Sequence, residues 1–115
     1  MRSDIDHDRL IHIRDNIVKA AMFVEGLAYE QFRDDAKSFY AATRALEIIS
    51  EASRKLSAQL KARHPAVPWK AIAGAGNIYR HDYEDVLQQR VWNTVHEALP
   101  PLLIVVEAEL VAQES

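Results

Sequence analysis

Cysteine is absent from this chain of 115 residues. Disulfides, thiolate metal sites, iron–sulfur clusters and thiol nucleophiles are therefore excluded. Glycine is scarce, with only Gly26, Gly74 and Gly76. No glycine-rich phosphate loop follows a strand, and no serine sits in a nucleophile elbow. Long apolar runs are missing as well. The longest near the C-terminus, Leu102 to Val106, is too short to span a bilayer and ends at Glu107. The first residues alternate in charge and lack the apolar centre of a signal peptide. A cytoplasmic protein without membrane attachment is the expectation. Positive charge is not in excess either. The formal net charge is −3, so any affinity for nucleic acid must rest on a local patch.

What is present is globular in balance, with 49% hydrophobic and 27% charged residues. The length corresponds to a single domain over residues 1–115. A core of that size is small enough to gain from pairing with a second copy. Between the few helix breakers, apolar residues recur at steps of three and four. Leu10, Ile13, Ile17, Ala20 and Val24 predict a first helix from Asp6 or Asp8 to Val24, stopped by Gly26. Tyr29 and Phe32 mark a short helical turn before Asp34 and Asp35. Phe39, Ala42, Leu46, Ile49, Ala52, Leu56 and Leu60 predict one long helix from Asp35 to Arg63, closed by His64 and Pro65. Pro68 opens a further helical stretch over Trp69 to Tyr83, weakened by Gly74 and Gly76. A last helix covers Leu87 to Gln113, with Pro100 and Pro101 expected to kink or split it. No segment alternates with a period of two. The expected fold is all-α, an up-and-down bundle of four to five helices. Trp69 and Trp92 read as core or interface residues. The apolar face around Val91, Trp92 and Val95 reads as one that could extend into a partner.

The most unusual segment is Gly74-Ala75-Gly76-Asn77-Ile78-Tyr79-Arg80-His81-Asp82-Tyr83. On a helix, Asn77 and His81 share a face, and Arg80 leans back toward the position of Gly76, one turn earlier. The expectation is that Arg80 covers the space that Gly76 leaves empty. Imidazole, guanidinium and amide together suit phosphate chemistry: the histidine moves a proton and the arginine stabilises phosphoryl charge. Spacing alone favours the plainer alternative, a solvated helix carrying a capped histidine. A second signal is the stretch from Arg54 to Lys70, which holds Arg54, Lys55, Lys61, Arg63 and Lys70 and no acidic residue. Arg54, Lys55 and Lys70 are candidate RNA-phosphate contacts. For Lys61 and Arg63, a simple complement to a helix dipole is the better account. Metal ligation has little support. His7 and His12 do not share a helical face, and Glu47 and Glu51 lack the Glu-x-x-His partners of a di-metal bundle. Glu51 reads instead as a polar group at the edge of the core or of a site. No cofactor is called for.

Several ordered landmarks carry a resemblance over nearly the whole chain. They are Phe23-Val24-Glu25-Gly26-Leu27 with Tyr29 and Phe32, then Ala45-Leu46-Glu47-Ile48-Ile49-Ser50-Glu51-Ala52. His64-Pro65-Ala66-Val67-Pro68-Trp69-Lys70-Ala71-Ile72-Ala73-Gly74, His81-Asp82-Tyr83 and Val91-Trp92 follow. The set resembles the HepT-like branch of the HEPN superfamily, helical toxins of prokaryotic toxin–antitoxin pairs. The family signature is an arginine, a polar residue, a spacer and a histidine, commonly with a tyrosine two residues later. The polar residue, histidine and tyrosine match Asn77, His81 and Tyr83, whereas the arginine position falls on Gly76. The resemblance implies a metal-independent ribonuclease acting as a homodimer, with His81 as general base or acid, Arg80 stabilising the phosphorane and Asn77 orienting groups. It implies a 2′,3′-cyclic phosphate product and a minimal nucleotidyltransferase (MNT-type) antitoxin as partner, with Tyr83 as the site of AMP addition. The alternative is a catalytically degenerate HEPN dimer that serves as a binding partner of a nucleotidyltransferase.

Overall fold

The computed structural model describes residues 4–77 and 84–114. All regular structure among them is helical. Helix α1 spans Asp4–Val24, α2 Tyr29–Asp34, α3 Ala36–Arg54, α4 Ala58–Ala62 and α5 Trp69–Gly74. Helix α6 (Glu84–Asn93) passes through a π-helical turn (Thr94–Ala98) into α7 (Leu99–Glu114), so these form one rod. Three long rods and three short helices make up the described residues, against the four to five helices expected. The body measures 46 × 28 × 21 Å. Helix α1 lies against α3 and α7, α5 packs on α3, and α2 bridges α3 and α6. No described helix is long and apolar enough to cross a membrane.

The core is drawn from the stripes that the periodicity marks. Leu10, Ile13 and Ala20 of α1 and Ala42 of α3 are fully buried, and Leu46 and Ile49 of α3 nearly so. Leu102 and Val106 of α7 close that layer. At the other side Phe32 sits among aromatic rings, 5.3 Å from Trp92 and 6.1 Å from Phe39 between centroids, with Tyr29 edge-on to Trp92 at 5.8 Å. Such tilted and edge-on pairs favour the ring quadrupoles and fix α2 in place.

Local chemistry sets the helix ends. Gly26 takes φ +76° after α1, a left-handed value that suits glycine and lets the Leu27 amide bond back to the Val24 carbonyl. Asp35 caps α3, accepting from the Lys37 amide at 3.2 Å and the Ser38 hydroxyl at 2.6 Å.

Three expectations need correction. The single helix over residues 35–63 is interrupted at Lys55–Ser57. Ser57 turns extended and caps α4 through the Leu60 amide, while its own amide and hydroxyl donate to the buried Asp6 carboxylate at 2.9 and 2.6 Å. Leu56 and Leu60 remain buried, so the apolar rhythm runs across the break and hides it. Pro100 and Pro101 do not split the last rod. The π turn just before them is closed by a Leu99 amide to Thr94 carbonyl bond, and widening of this kind relieves the crowding a proline imposes on the preceding turn. Lastly, Val91 and Val95 are buried within this chain's own core, and Trp92 is packed against Tyr29 and Phe32. The large apolar side chains left exposed include Val18 and Met22 of α1 and Ile104 and Val111 of α7.

Candidate functional site

The unusual segment begins where α5 ends. After Gly74 the chain makes a turn in which the Ala75 amide bonds to Ile72 and the Asn77 amide to Gly74. Ser50 of α3 holds this turn from inside. Its hydroxyl is buried, donates to the Ile72 carbonyl at 2.9 Å and accepts from the Gly76 amide at 2.8 Å. Gly76 therefore lies directly on α3. A Cβ built there would stand 2.8 Å from the Glu47 Cα, 2.9 Å from the Ser50 Oγ and 3.0 Å from the Leu46 carbonyl oxygen. The expectation of empty space at Gly76 is thus corrected: the backbone of α3 occupies it, and glycine is the residue that permits the approach.

Beside this contact is a polar cavity of about 290 Å³ lined by Arg44, Glu47, Ser50, Glu51, Arg54, Gly76 and Asn77. Positions 44, 47, 51 and 54 share one face of α3, so a single helix supplies two cations and two carboxylates to it. Arg54 is held at both ends of its fork. One nitrogen donates to the Ala73 carbonyl at 2.6 Å, capping α5, and the other meets Glu51 at 2.5 Å. Lys55 meets the other Glu51 oxygen at 3.0 Å. The hydrogen bond from Arg54, joined by Lys55, brings the Glu51 carboxyl down to about 2, so it is ionised throughout the neutral range. Arg44 is held loosely, 3.7 Å from Glu47, with its side chain 71% exposed.

The structure brings Asn77 to this cavity, exposed at its wall. Arg80, His81 and Tyr83 lie outside the described residues, shortly after it in the chain. The basic stretch is more neutralised than its composition suggests. Arg54 and Lys55 share Glu51, while Arg63 and His64 engage the buried Glu109, whose carboxyl is held below its usual range chiefly by the Arg63 hydrogen bond. Lys70 is exposed on α5 without an ion pair among the described residues. Sequence reasoning missed Arg44. Its spacing from Glu47, Glu51 and Arg54 was the available signal, but nothing local said that the turn after α5 would pack on that face.

The model for the family described as "Ribonuclease HepT-like" matches residues 13–109. The chain belongs to the HepT-like ribonuclease family. The match takes in every residue that lines the polar cavity. Among curated relatives, a Thermococcus cleftensis protein named "Probable ribonuclease HepT" is 36% identical over 95 residues, covering 83% of this chain and 86% of its own. A protein of Caldanaerobacter subterraneus named as a "Putative RNase" is 37% identical over 79 residues, 69% of this chain and 70% of its own. One of Methanocaldococcus jannaschii, also named as a "Putative RNase", is 36% identical over 80 residues, 70% and 73% of the two chains. No solved structure matches the chain.

Proposed function

We propose that this HepT-like protein is a metal-independent endoribonuclease, active as a homodimer and serving as the toxin of a toxin–antitoxin pair. The observation that carries the reading is the placement of Asn77 at a polar cavity lined by Arg44, Arg54, Glu47 and Glu51, shortly ahead of Arg80 and His81 in the chain. In this reading His81 takes the proton of a ribose 2′-hydroxyl. The freed oxygen attacks the adjacent phosphorus, Arg80 stabilises the phosphorane charge and Asn77 orients the reacting groups. The bond to the 5′-oxygen breaks, that oxygen gains a proton from the paired motif, and a 2′,3′-cyclic phosphate remains. Lys70 gives the flanking RNA phosphates a positive neighbour, whereas Arg54 and Lys55 are committed to Glu51. A second copy gives cover to the exposed Val18 and Met22, which supports the dimer. The partner that restrains the enzyme is a minimal nucleotidyltransferase, through AMP addition to Tyr83. The added anion repels RNA phosphate.

The experiment is RNA cleavage by the intact protein and by His81→Ala, with circular dichroism and sedimentation as controls on fold and assembly. Loss of cleavage in a folded variant is expected, and retained cleavage refutes the assignment. The intact mass of the protein made with and without a neighbouring nucleotidyltransferase tests the partner. A gain of one adenylate that disappears in Tyr83→Phe supports modification.

A second reading draws on one observation. Where the family signature has an arginine, this chain has Gly76, pressed on α3 with no room for any side chain. That favours a non-catalytic module that binds the nucleotidyltransferase. Cleavage by the unmodified natural protein rules this module out.

A further inference from the structure

The two arginines on the wall of the polar cavity are held in different ways. Arg54 is fixed by the Ala73 carbonyl and by Glu51, and its charge is already answered. It is part of the scaffold that ends α5. Arg44, ten residues earlier on the same face of α3, makes one long ion pair among the described residues, with Glu47, and both partners are substantially exposed, at 71% and 47%. An exposed pair of this kind has little hold on its members. Arg44 can therefore leave Glu47 at small cost and turn to another anion. A guanidinium matches a phosphate with two parallel N–H bonds, which a carboxylate at 3.7 Å does not exploit.

The same cavity meets the start of the signature segment, at Gly76 and Asn77. Gly76 is the position at which the family pattern carries an arginine, and the α3 backbone at residues 46–47 denies a side chain there. Arg44 lines that cavity from α3. We infer that Arg44 is a phosphate-binding residue of this protein, that it engages an RNA phosphate at this cavity, and that Glu47 is its competitor in the empty state. The inference rests on the ribonuclease reading, since it names the substrate group that the cavity takes.

Glu47 makes the idea directional. Removing Arg44 weakens RNA binding, and removing the charge of Glu47 strengthens it by freeing Arg44. A structural role for the Arg44–Glu47 pair instead predicts that both changes act alike or not at all. Because Arg44 binds substrate and transition state equally, its loss raises KM and leaves kcat nearly unchanged.

The test uses the full chain and a labelled single-stranded RNA with methylated 2′-hydroxyls, so that binding is read without cleavage. For Arg44→Ala the Kd is expected to rise about tenfold or more, the size of one lost charge-assisted contact. The slope of log Kd against log salt should fall by about one phosphate's share. Arg44→Lys keeps the slope and part of the affinity. Glu47→Gln lowers the Kd. On cleavable RNA, Arg44→Ala raises KM. Wild-type affinity and salt slope in both Arg44→Ala and Glu47→Gln overturn the inference while leaving His81 chemistry in place. Cleavage that survives His81→Ala refutes the catalytic reading, whatever Arg44 does. If the natural protein does not bind the RNA at all, both fall.

Discussion

Replacing Gly76 by alanine adds one methyl group at the tightest contact of the site. The new Cβ stands 2.8 Å from the Glu47 Cα and 3.0 Å from the Leu46 carbonyl oxygen, both backbone atoms of α3. Carbon atoms are comfortable at about 3.5–4.0 Å, so the turn must retreat by roughly 0.7 Å or more. No side-chain rotation can relieve it. Retreat lengthens the 2.8 Å bond from the Gly76 amide to the Ser50 hydroxyl. Ser50 is buried, so that hydroxyl loses a partner that water does not readily replace. Overpacking of this kind costs about 1–3 kcal/mol and the weakened hydrogen bond about 1 kcal/mol. Reduced freedom of the unfolded chain returns about 0.4–1 kcal/mol. The net loss is about 1–3.5 kcal/mol. For a domain of this length each kcal/mol is worth about 4 °C, so Tm should fall by about 4–14 °C. Thermal unfolding followed by far-UV circular dichroism measures it. Gly74→Ala is the matched control: among the described residues nothing lies within 4 Å of its Cβ, and the residue ends a helix. Its Tm should hold or rise by about 2–4 °C. Equal melting of Gly76→Ala and wild type, or an equal fall in both variants, would refute the close-contact argument. The same geometry means that Gly76→Arg is not a clean way to restore the family arginine, because it must first displace the turn.

Other expectations follow from the long-range clasps. Ser57→Ala removes both the α4 cap and the 2.6 Å bond to Asp6, and should lower stability by about 1–2 kcal/mol in urea unfolding. Glu109→Gln leaves Arg63 and His64 without their shared carboxylate and should cost a similar amount at neutral pH. Its pH dependence has a definite sign. The folded carboxyl of Glu109 lies below its ordinary value, so its stabilisation is complete above that value and is lost as pH falls through the folded one. Acid titration of the natural protein should therefore show a loss below about pH 4.5 that is smaller in Glu109→Gln.

Fold class, the apolar stripes and the stop at Gly26 were legible because each is written in local spacing. The break at Ser57 was not. It depends on Asp6, which lies 51 residues away in sequence, while Leu56 and Leu60 keep the rhythm of a continuous helix. Burial of Val91 and Val95 was legible as an apolar face, but spacing does not say whether such a face meets its own chain or another. At the site, the residue types Asn77 and Glu51 could be marked in advance. The inversion at Gly76, from a gap to a contact, could not, because it requires knowing which face of α3 the turn after α5 rests on. Arg44 was hidden for the same reason.

The π turn at Thr94–Ala98 also acts on the angular phase of the last rod. Leu87, Val91, Val95 and Leu99 are all buried, at steps of four residues. In a regular α-helix three such steps drift by about 120°, which would swing Leu99 a third of a turn away from Leu87. A wider turn advances fewer degrees per residue and brings the stripe back into line. Deleting any one residue between positions 94 and 98 would let ordinary helical bonding resume there. The dropped residue and the regained twist nearly cancel, so everything beyond keeps its angular phase and Leu102 and Val106 stay on the core side. What such a deletion removes is the extra room ahead of Pro100 and Pro101, whose rings then crowd the carbonyls of the preceding turn.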